Sequence, residues 1–235
     1  NWSYFYPSVS LSGVITDLYD NKSKWFSYAK LRISWARVGS DTDPYSLYPT
    51  VSFGDGWSAS TKLLNLFIPN ELPNANLKPQ FTTSLEVGGD FRFFQNRVSL
   101  DLTYYDSRTT DQILVAPISG ASGYNTMRIN AGEITNKGIE AQLGATIFKA
   151  ENKKQFGWDL NLNFAKNWNE VVSLAPGVEN YVIGTYWDLK VIAQPGRPFG
   201  DLYGYDYLRD PDGNIINRDG VPVQGELKVL GNYQP

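Results

Sequence analysis

The chain has 235 residues, a formal net charge of -3 and a sequence pI near 5.1, so its charge gives no reason to expect nucleic acid as a partner. It contains no Cys and no His, which excludes disulfides and thiolate metal sites and removes the commonest general base and metal ligand. Aromatic residues make up 14% of the chain against a single Met, a composition typical of β-strands.

The motifs of the common enzyme classes are missing. No nucleophile elbow, phosphate-binding loop or dinucleotide-binding fingerprint occurs, so we expect no enzymatic activity and no cofactor. No apolar run approaches the roughly 18 residues that a membrane-spanning helix requires. No signal peptide opens the sequence, and we expect both ends to be cuts in a longer protein.

Alternation of apolar and polar residues predicts about six strands, each with one apolar face. In chain order they are residues 5–15, 28–39, 84–94, 97–106, 136–148 and 157–167, of which the first is the weakest. Their lengths of roughly 9–13 residues exceed the 5–6 residues usual in globular sheets. Tilted strands of about 9–11 residues are what a bilayer requires.

The third and fourth segments predict a hairpin with a turn at Gln95-Asn96. One face pairs Phe93 with Val98, Phe91 with Leu100, Gly89 with Leu102 and Val87 with Tyr104. The other face collects Glu86, Asp90, Arg92, Ser99, Asp101 and Tyr105. The core of a soluble sandwich or the lipid around a membrane barrel could cover the apolar face, so the hairpin alone does not distinguish a sandwich from a barrel.

The connections between these segments alternate in length. A tight turn at 94–97 and modest turns at 16–27 and 149–156 contrast with three long stretches rich in Gly, Pro, Asn and Ser. These stretches, which lack sustained periodicity, are residues 40–80, 108–135 and 168–198. Compact soluble domains rarely contain several loops of such length. Short turns on one side and long loops on the other are typical of outer-membrane barrels.

Aromatic residues cluster where the predicted strands end, as in the two interfacial belts of a membrane barrel. At the long-loop side they are Trp2, Tyr4, Phe5, Tyr6, Phe81, Tyr104, Tyr105 and Trp168. At the short-turn side they are Trp25, Phe26, Tyr28, Phe93, Phe94, Phe148, Phe156 and Trp158. The pattern favours an all-β fold, an antiparallel transmembrane β-barrel segment, over a soluble sandwich or propeller.

Three stretches resemble a known family. "LPNANLKPQFTTSLEVGGDFRFFQNRVSLDLTYYDSRTTDQIL" and "INAGEITNKGIEAQL" resemble barrel segments of TonB-dependent outer-membrane transporters. "GRPFGDLYGYDYLRDPDGNI" and the final "LGNYQP" are similar to late-barrel segments of the SusC/RagA branch, the glycan and peptide importers of Bacteroidetes-type bacteria. The match is collinear and covers most of residues 1–235.

This resemblance implies a barrel of about 22 strands in the bacterial outer membrane, closed by an N-terminal plug. It also implies energy supplied through TonB, a SusD-like surface lipoprotein as a lid, and an oligosaccharide or peptide as substrate. Plug, TonB box and the remaining strands would lie outside this chain, which is then one partial barrel domain, 1–235. A soluble carbohydrate-binding or propeller domain and a passive porin or adhesin barrel remain the alternatives.

The long stretches hold the candidates for substrate or partner contact, because flat aromatic faces with polar tips suit sugars and protein surfaces. The candidates are Trp57, Tyr124, Arg128, Tyr181, Tyr186 and Trp187. On the strands, Arg32, Arg92, Glu86 and Glu140 are interpreted as wetted lumen charges. Aromatics in loops also fold loops onto themselves, so each candidate has a structural alternative.

"DPDGNIINRDG" offers a weak calcium alternative through Asp210, Asp212 and Asn214. An EF-hand loop has Gly at its sixth position and Glu at its twelfth, whereas here Gly is fourth and Val221 is twelfth. Asp-Gly is a strong hairpin signal, so a turn is the favoured interpretation. Gly132 and Gly138 are expected to provide positive φ or close backbone approach where a strand begins, together with Asn130 and Asn136.

Overall fold

The computed structural model describes residues 4–18, 23, 25–43, 46–48, 50–57, 64–150 and 155–232. Nearly all regular structure there is β. The strands are β1 Ser8–Val14, β2 Phe26–Ser40, β3 Ser52–Trp57, β4 Leu64–Phe67, β5 Glu71–Leu72, β6 Gln80–Phe93, β7 Val98–Thr110, β8 Ile113–Pro117, β9 Thr126–Asn130, β10 Glu133–Phe148, β11 Trp158–Ser173, β12 Tyr181–Tyr186, β13 Leu189–Ala193, β14 Asp201–Tyr207, β15 Asn217–Arg218, β16 Val221–Pro222 and β17 Gln224–Asn232.

Two single turns of 3₁₀ helix, Ile15–Leu18 and Gly120–Ser122, complete the regular structure. No helix of the described residues has the length and apolar character needed to cross a membrane. The chain divides into two compact units. The first comprises Asn1–Gly39, Thr82–Thr109 and Thr135–Asn169, and the second comprises Ser40–Phe81, Thr110–Ile134 and Glu170–Pro235.

A six-stranded sheet in the order β1-β2-β6-β7-β10-β11 confirms the six predicted strands. Apart from the seven residues of β1, they are longer than expected, with 13 to 16 residues each. The antiparallel pairing of β1 with β2 sets Leu11 opposite Ile33 and Ser12 opposite Arg32. Apolar residues therefore face apolar ones across the pair, and polar residues share the other side.

The apolar face of this sheet is uncovered in the first unit. Its exposed large side chains are Val9, Leu11, Leu31, Ile33, Trp35, Leu85, Val87, Leu102, Tyr104, Ile139, Ile147, Trp158, Leu160, Leu162 and Phe164. Among the buried apolar residues of the described chain, Ala29 alone belongs to this unit. A sandwich would bury such a face under a second sheet. An exposed apolar surface of this extent instead marks contact with a membrane or another molecule.

The predicted hairpin is confirmed in its strands and its turn. Residues 94–97 form the turn, with Phe94, Gln95 and Asn96 all at positive φ of 52°, 57° and 67°. The Arg97 N–H donates to the Phe94 carbonyl over 3.2 Å. Farther along the two strands, the hydroxyl oxygens of Thr82 and Thr109 lie 2.9 Å apart. A turn centred on Gln95-Asn96 sets these two residues opposite each other, so the register agrees with that turn.

The aromatic residues at the short-turn end contact one another. The ring pairs are Trp25–Phe94 at 5.1 Å, Phe26–Phe93 at 5.4 Å, Phe148–Phe156 at 6.3 Å and Phe148–Trp158 at 6.2 Å between centroids. For two residues, the predicted place in an aromatic belt is wrong. Tyr28 lies under the Arg92 guanidinium and Tyr105 bonds Asn167, so both lie with the polar residues. Trp2 is outside the described residues.

The second unit corrects the expectation of three irregular loops, because each of those stretches contains short strands, from β3 to β5, β8 and β9, and β12 and β13. Its sheets are β12-β13-β14-β17, β5-β9-β8, β3-β4 and β15-β16. The segments resembling late-barrel sequence belong to the four-stranded sheet here. Ile134, Val171 and Ala193 form a buried cluster against which Leu174, Tyr181 and Phe199 pack. Apart from β17 with nine residues, the strands of these sheets have two to seven residues, which gives periodicity little length over which to reveal them.

We expect Leu162→Arg and Asn163→Arg to behave oppositely in the intact protein. Leu162 is exposed on the apolar face, and Asn163 borders a groove on the polar face with Asp101 and Gln142. An Arg facing lipid costs about 2–4 kcal/mol at the bilayer midplane and less toward the interfaces. Heat-modifiable gel migration measures the folded fraction in membranes, and equal assembly of the two variants would contradict the assignment of the faces.

Candidate functional site

An ion pair ties strands together on the polar face of the six-stranded sheet. Arg32 on β2 donates to both carboxylate oxygens of Asp101 on β7, over 2.9 and 2.6 Å, and to the Thr103 hydroxyl over 2.6 Å. Bidentate Arg–carboxylate pairs are geometrically specific and among the stronger ones. Both side chains stay about two-fifths exposed, which limits the net energy of the pair through solvent screening.

The other charges that the sequence predicts for the lumen line open grooves on the same face. Arg92 lies 3.3 Å from Asp90 and stacks over Tyr28 at 4.9 Å from the ring centroid. Glu86 borders a groove with Lys30 and Arg32, whereas Glu140 borders another with Asp101 and Gln142. The two glutamates therefore occupy different grooves, an arrangement that suits a wetted wall rather than acid–base chemistry.

All six candidates for ligand contact belong to the second unit, and two of them are strongly exposed. Tyr186 and Trp187 lie at the tip of the β12–β13 hairpin, where Tyr186 pairs with Leu189 across a two-residue turn. Tyr186 is 79% and Trp187 94% exposed. Trp187 adopts φ of 55°, an uncommon conformation for a bulky residue that costs free energy and clusters at functional sites.

Arg128 is held by its own chain. Its guanidinium Nε lies 2.5 Å from the Glu71 carboxylate and Nη1 donates to the Thr42 hydroxyl over 2.7 Å. The Asn74 amide donates to the Arg128 carbonyl over 2.9 Å. These contacts tie β9 to β5 and to the segment before β3, so the described geometry gives Arg128 a structural function. Ligand contact by Arg128 stays a prediction.

Tyr181 and Tyr124 are also built into the second unit. The Tyr181 hydroxyl accepts the Val115 N–H over 3.3 Å, and the ring packs against the buried cluster. Tyr124 is half-buried, and its backbone N–H and carbonyl both bond the Ser122 hydroxyl. Trp57 ends β3, with its side chain outside the described residues. Among the aromatic candidates whose side chains the structure describes, Tyr186 and Trp187 are the exposed ones.

Sequence reasoning missed a buried carboxylate. Asp201 begins β14, is 1% exposed and forms an ion pair with Arg197. The Asn232 amide donates to its other oxygen over 2.9 Å. The Arg197 backbone in turn bridges Val171 of β11. Asp201 therefore links the turn at 196–200 to β17. The sequence feature that could have indicated this carboxylate is the Gly-x-x-x-Gly-Asp motif at residues 196–201.

The "DPDGNIINRDG" segment folds as turns. The Asp210 carboxylate accepts the Asn214 backbone N–H over 2.8 Å and its side-chain amide over 3.2 Å, and these hydrogen bonds, the backbone one foremost, lower the pKa of Asp210. Asp219 and Gly220, at φ of 52° and 78°, join β15 to β16. No cluster of three or more metal-ligating side chains exists among the described residues, and the calcium alternative through Asp210, Asp212 and Asn214 stays an untested prediction.

The two predicted glycines have distinct geometries. Gly132 adopts φ of 97°, which L residues rarely reach. Gly138 lies under the ring of Tyr105 at negative φ, so space rather than backbone freedom requires glycine there. Asn130, beside Gly132, donates to the Lys78 and Asp111 carbonyls over 2.6 and 3.0 Å. The Asn136 carbonyl accepts the Ser107 hydroxyl over 3.3 Å.

An open sheet of long strands, apolar and exposed on one face and hydrated on the other, has the form of a barrel wall. The chain belongs to the TonB dependent receptor-like, beta-barrel family, whose family model matches residues 1–228. This match confirms the family resemblance drawn from the sequence.

Named relatives agree with this membership. The chain is 28% identical to TonB-dependent receptor P39 of Formosa agariphila, over 99% of its own length and 22% of that protein. It is 29% identical to TonB-dependent receptor SusC of Bacteroides thetaiotaomicron, over 95% of its length and 23% of SusC. The solved RagAB peptide transporter matches 94% of the chain with a TM-score of 0.72 at 21% identity, covering 24% of that chain, and shows the same fold.

We expect Arg197→Ala to loosen the second unit more than Asp201→Asn does. Removing Arg197 leaves a buried carboxylate without its cation, at a cost of about 3–5 kcal/mol. Asp201→Asn removes the charge and retains polar atoms for Asn232, at about 1–3 kcal/mol. Hydrogen exchange of the β13 and β14 amides reports local opening. Equal protection of these amides from exchange in both variants would show that the unpaired buried charge does not control local opening of the unit.

Proposed function

We propose that the chain is part of a SusC-like TonB-dependent importer in the outer membrane of a Gram-negative bacterium. The six-stranded sheet serves as barrel wall, with its apolar face against lipid and its polar face toward a hydrated lumen. The observation that carries this proposal is the uncovered apolar face of that sheet in a member of the receptor-barrel family. The chain acts as wall and recognition surface rather than as a catalyst.

The substrate we propose is an oligosaccharide or a peptide too large for ordinary porins. The RagAB relative is described as a peptide transporter, which supports the peptide alternative. The exposed rings of Tyr186 and Trp187 support either class, because aromatic faces contact sugar C–H groups and apolar peptide side chains equally well. A SusD-like lipoprotein is the proposed lid, and TonB is the proposed energy source through sequence outside this chain.

Deletion of TonB in the source bacterium tests the proposal. Uptake of the limiting glycan or peptide by the intact receptor should stop, although the receptor remains folded in the outer membrane. Uptake that continues without TonB would indicate a passive porin. Extraction of the full-length protein from membranes without detergent would indicate a soluble β domain, and either result would reject the proposal.

Substitution of both exposed rings, Tyr186→Ala with Trp187→Ala, should weaken substrate or lid binding and leave the amount of folded receptor unchanged. Loss of one stacking ring costs about 1–3 kcal/mol by analogy with base stacking, or roughly 5-fold to 150-fold in affinity. Calorimetry on the detergent-purified receptor with oligosaccharide, peptide or purified lid protein measures this affinity.

The matched control replaces Trp25 and Phe156, which are 69% and 75% exposed at the short-turn end of the sheet. This control should not change affinity for substrate or lid. Loss of binding in the control with normal binding in the Tyr186/Trp187 variant would mean that recognition occurs at the short-turn end of the sheet.

A further inference from the structure

Two large side chains on the polar face lie across a neighbouring strand at a glycine. Arg32 extends from β2 over Gly88 of β6 to reach Asp101 and Thr103 on β7. A Cβ atom at Gly88 would lie 2.7 Å from Arg32 Nε and 2.9 Å from the Leu102 carbonyl oxygen. Any residue larger than glycine would therefore displace the guanidinium from its present path.

The same arrangement, in which a long side chain crosses a neighbouring strand at a glycine, occurs again on β7, β10 and β11. We call each such arrangement a crossing. Tyr105 extends from β7 over Gly138 of β10, and its hydroxyl bonds the Asn167 side chain of β11 over 3.1 Å. A Cβ atom at Gly138 would overlap the Tyr105 ring and hydroxyl and lie 2.8 Å from the Lys166 carbonyl oxygen. Glycine again provides the space in which the side chain lies flat.

Backbone freedom does not explain these two glycines. Gly88 and Gly138 are absent from the residues at positive φ, so alanine could adopt their backbone conformations. Glycine inside a strand is otherwise less favourable than alanine, and it often marks close approach of other groups. At both positions a long polar side chain from one adjacent strand approaches the glycine together with a backbone carbonyl oxygen of the strand on its other side.

We infer that Arg32 and Tyr105 are positioning residues, each held flat over a glycine so that it ties three adjacent strands together. The two crossings share β7 and together span β2 through β11, five of the six strands of the sheet. They also keep the guanidinium and the phenol from projecting off the polar face.

The test uses the full-length receptor in detergent and compares Gly88→Ala and Gly138→Ala with Gly13→Ala. Gly13 lies in β1 with no atom within 4 Å of an added Cβ, so it is the matched control. The temperature at which the folded band is lost in heat-modifiable gels should fall by several degrees for the first two variants. Gly13→Ala should leave it unchanged or raise it slightly.

Rescue distinguishes the positioning function from a general effect of alanine. Adding Tyr105→Ser to Gly138→Ala removes the ring that the new methyl group overlaps and leaves only the Lys166 carbonyl oxygen close to it, so the double variant should recover most of the loss caused by Gly138→Ala. This holds even if Gly138→Ala by itself does not assemble. The inference is overturned if both alanine variants behave like Gly13→Ala, or if Tyr105→Ser gives Gly138→Ala no recovery.

Discussion

Leu31 and Arg32 are neighbours on β2 and require opposite surroundings. Leu31 lies on an exposed apolar face, and Arg32 forms a hydrated ion pair with Asp101 on the other side of the same sheet. Because side chains alternate between the two faces along every strand, all six strands require an apolar environment on one face and a polar one on the other. A bilayer outside and a watery lumen inside satisfy both faces at once, because lipid replaces the missing second layer and water solvates the polar one. The long strands, the short turns and the aromatic pairs at the turn end all follow from that arrangement.

The two units are stabilised by different interactions. In the first unit, strand pairing and polar side-chain contacts between strands, such as Arg32–Asp101, hold the sheet together. Its apolar side chains are exposed and require an apolar layer from outside the unit to cover them. In the second, a small core around Val171 is buried within the unit, and charged pairs such as Arg197–Asp201 and Arg128–Glu71 fix its turns. The exposed Tyr186 and Trp187 are then exceptions within a unit that buries or bonds its other described candidates, which is why they are the preferred contact residues.

The sequence predicted the features that depend on local periodicity and turn chemistry. Alternation gave the six strands, and Gln95-Asn96 located the hairpin turn. Short strands such as β5 and β9 escaped because two to five residues carry no measurable period. The Arg32–Asp101 pair could not be predicted, since it requires β2 to lie beside β6 with 39 residues between the two strands, and that strand order is set by tertiary structure. Asp201 was missed for a similar reason, because its burial depends on Arg197 and Asn232 converging from different elements.

Spin-label accessibility along β11 of the full-length receptor in lipid vesicles tests the central assignment of faces most directly. This chain has no cysteine of its own, so single cysteines can be placed at consecutive positions from 158 to 164 and labelled. Collision with oxygen, which concentrates in lipid, should peak at 158, 160, 162 and 164, and collision with a water-soluble nickel chelate should peak at 159, 161 and 163. Uniform accessibility, or the opposite alternation, would contradict a sheet that has lipid on its apolar face and water on its polar face.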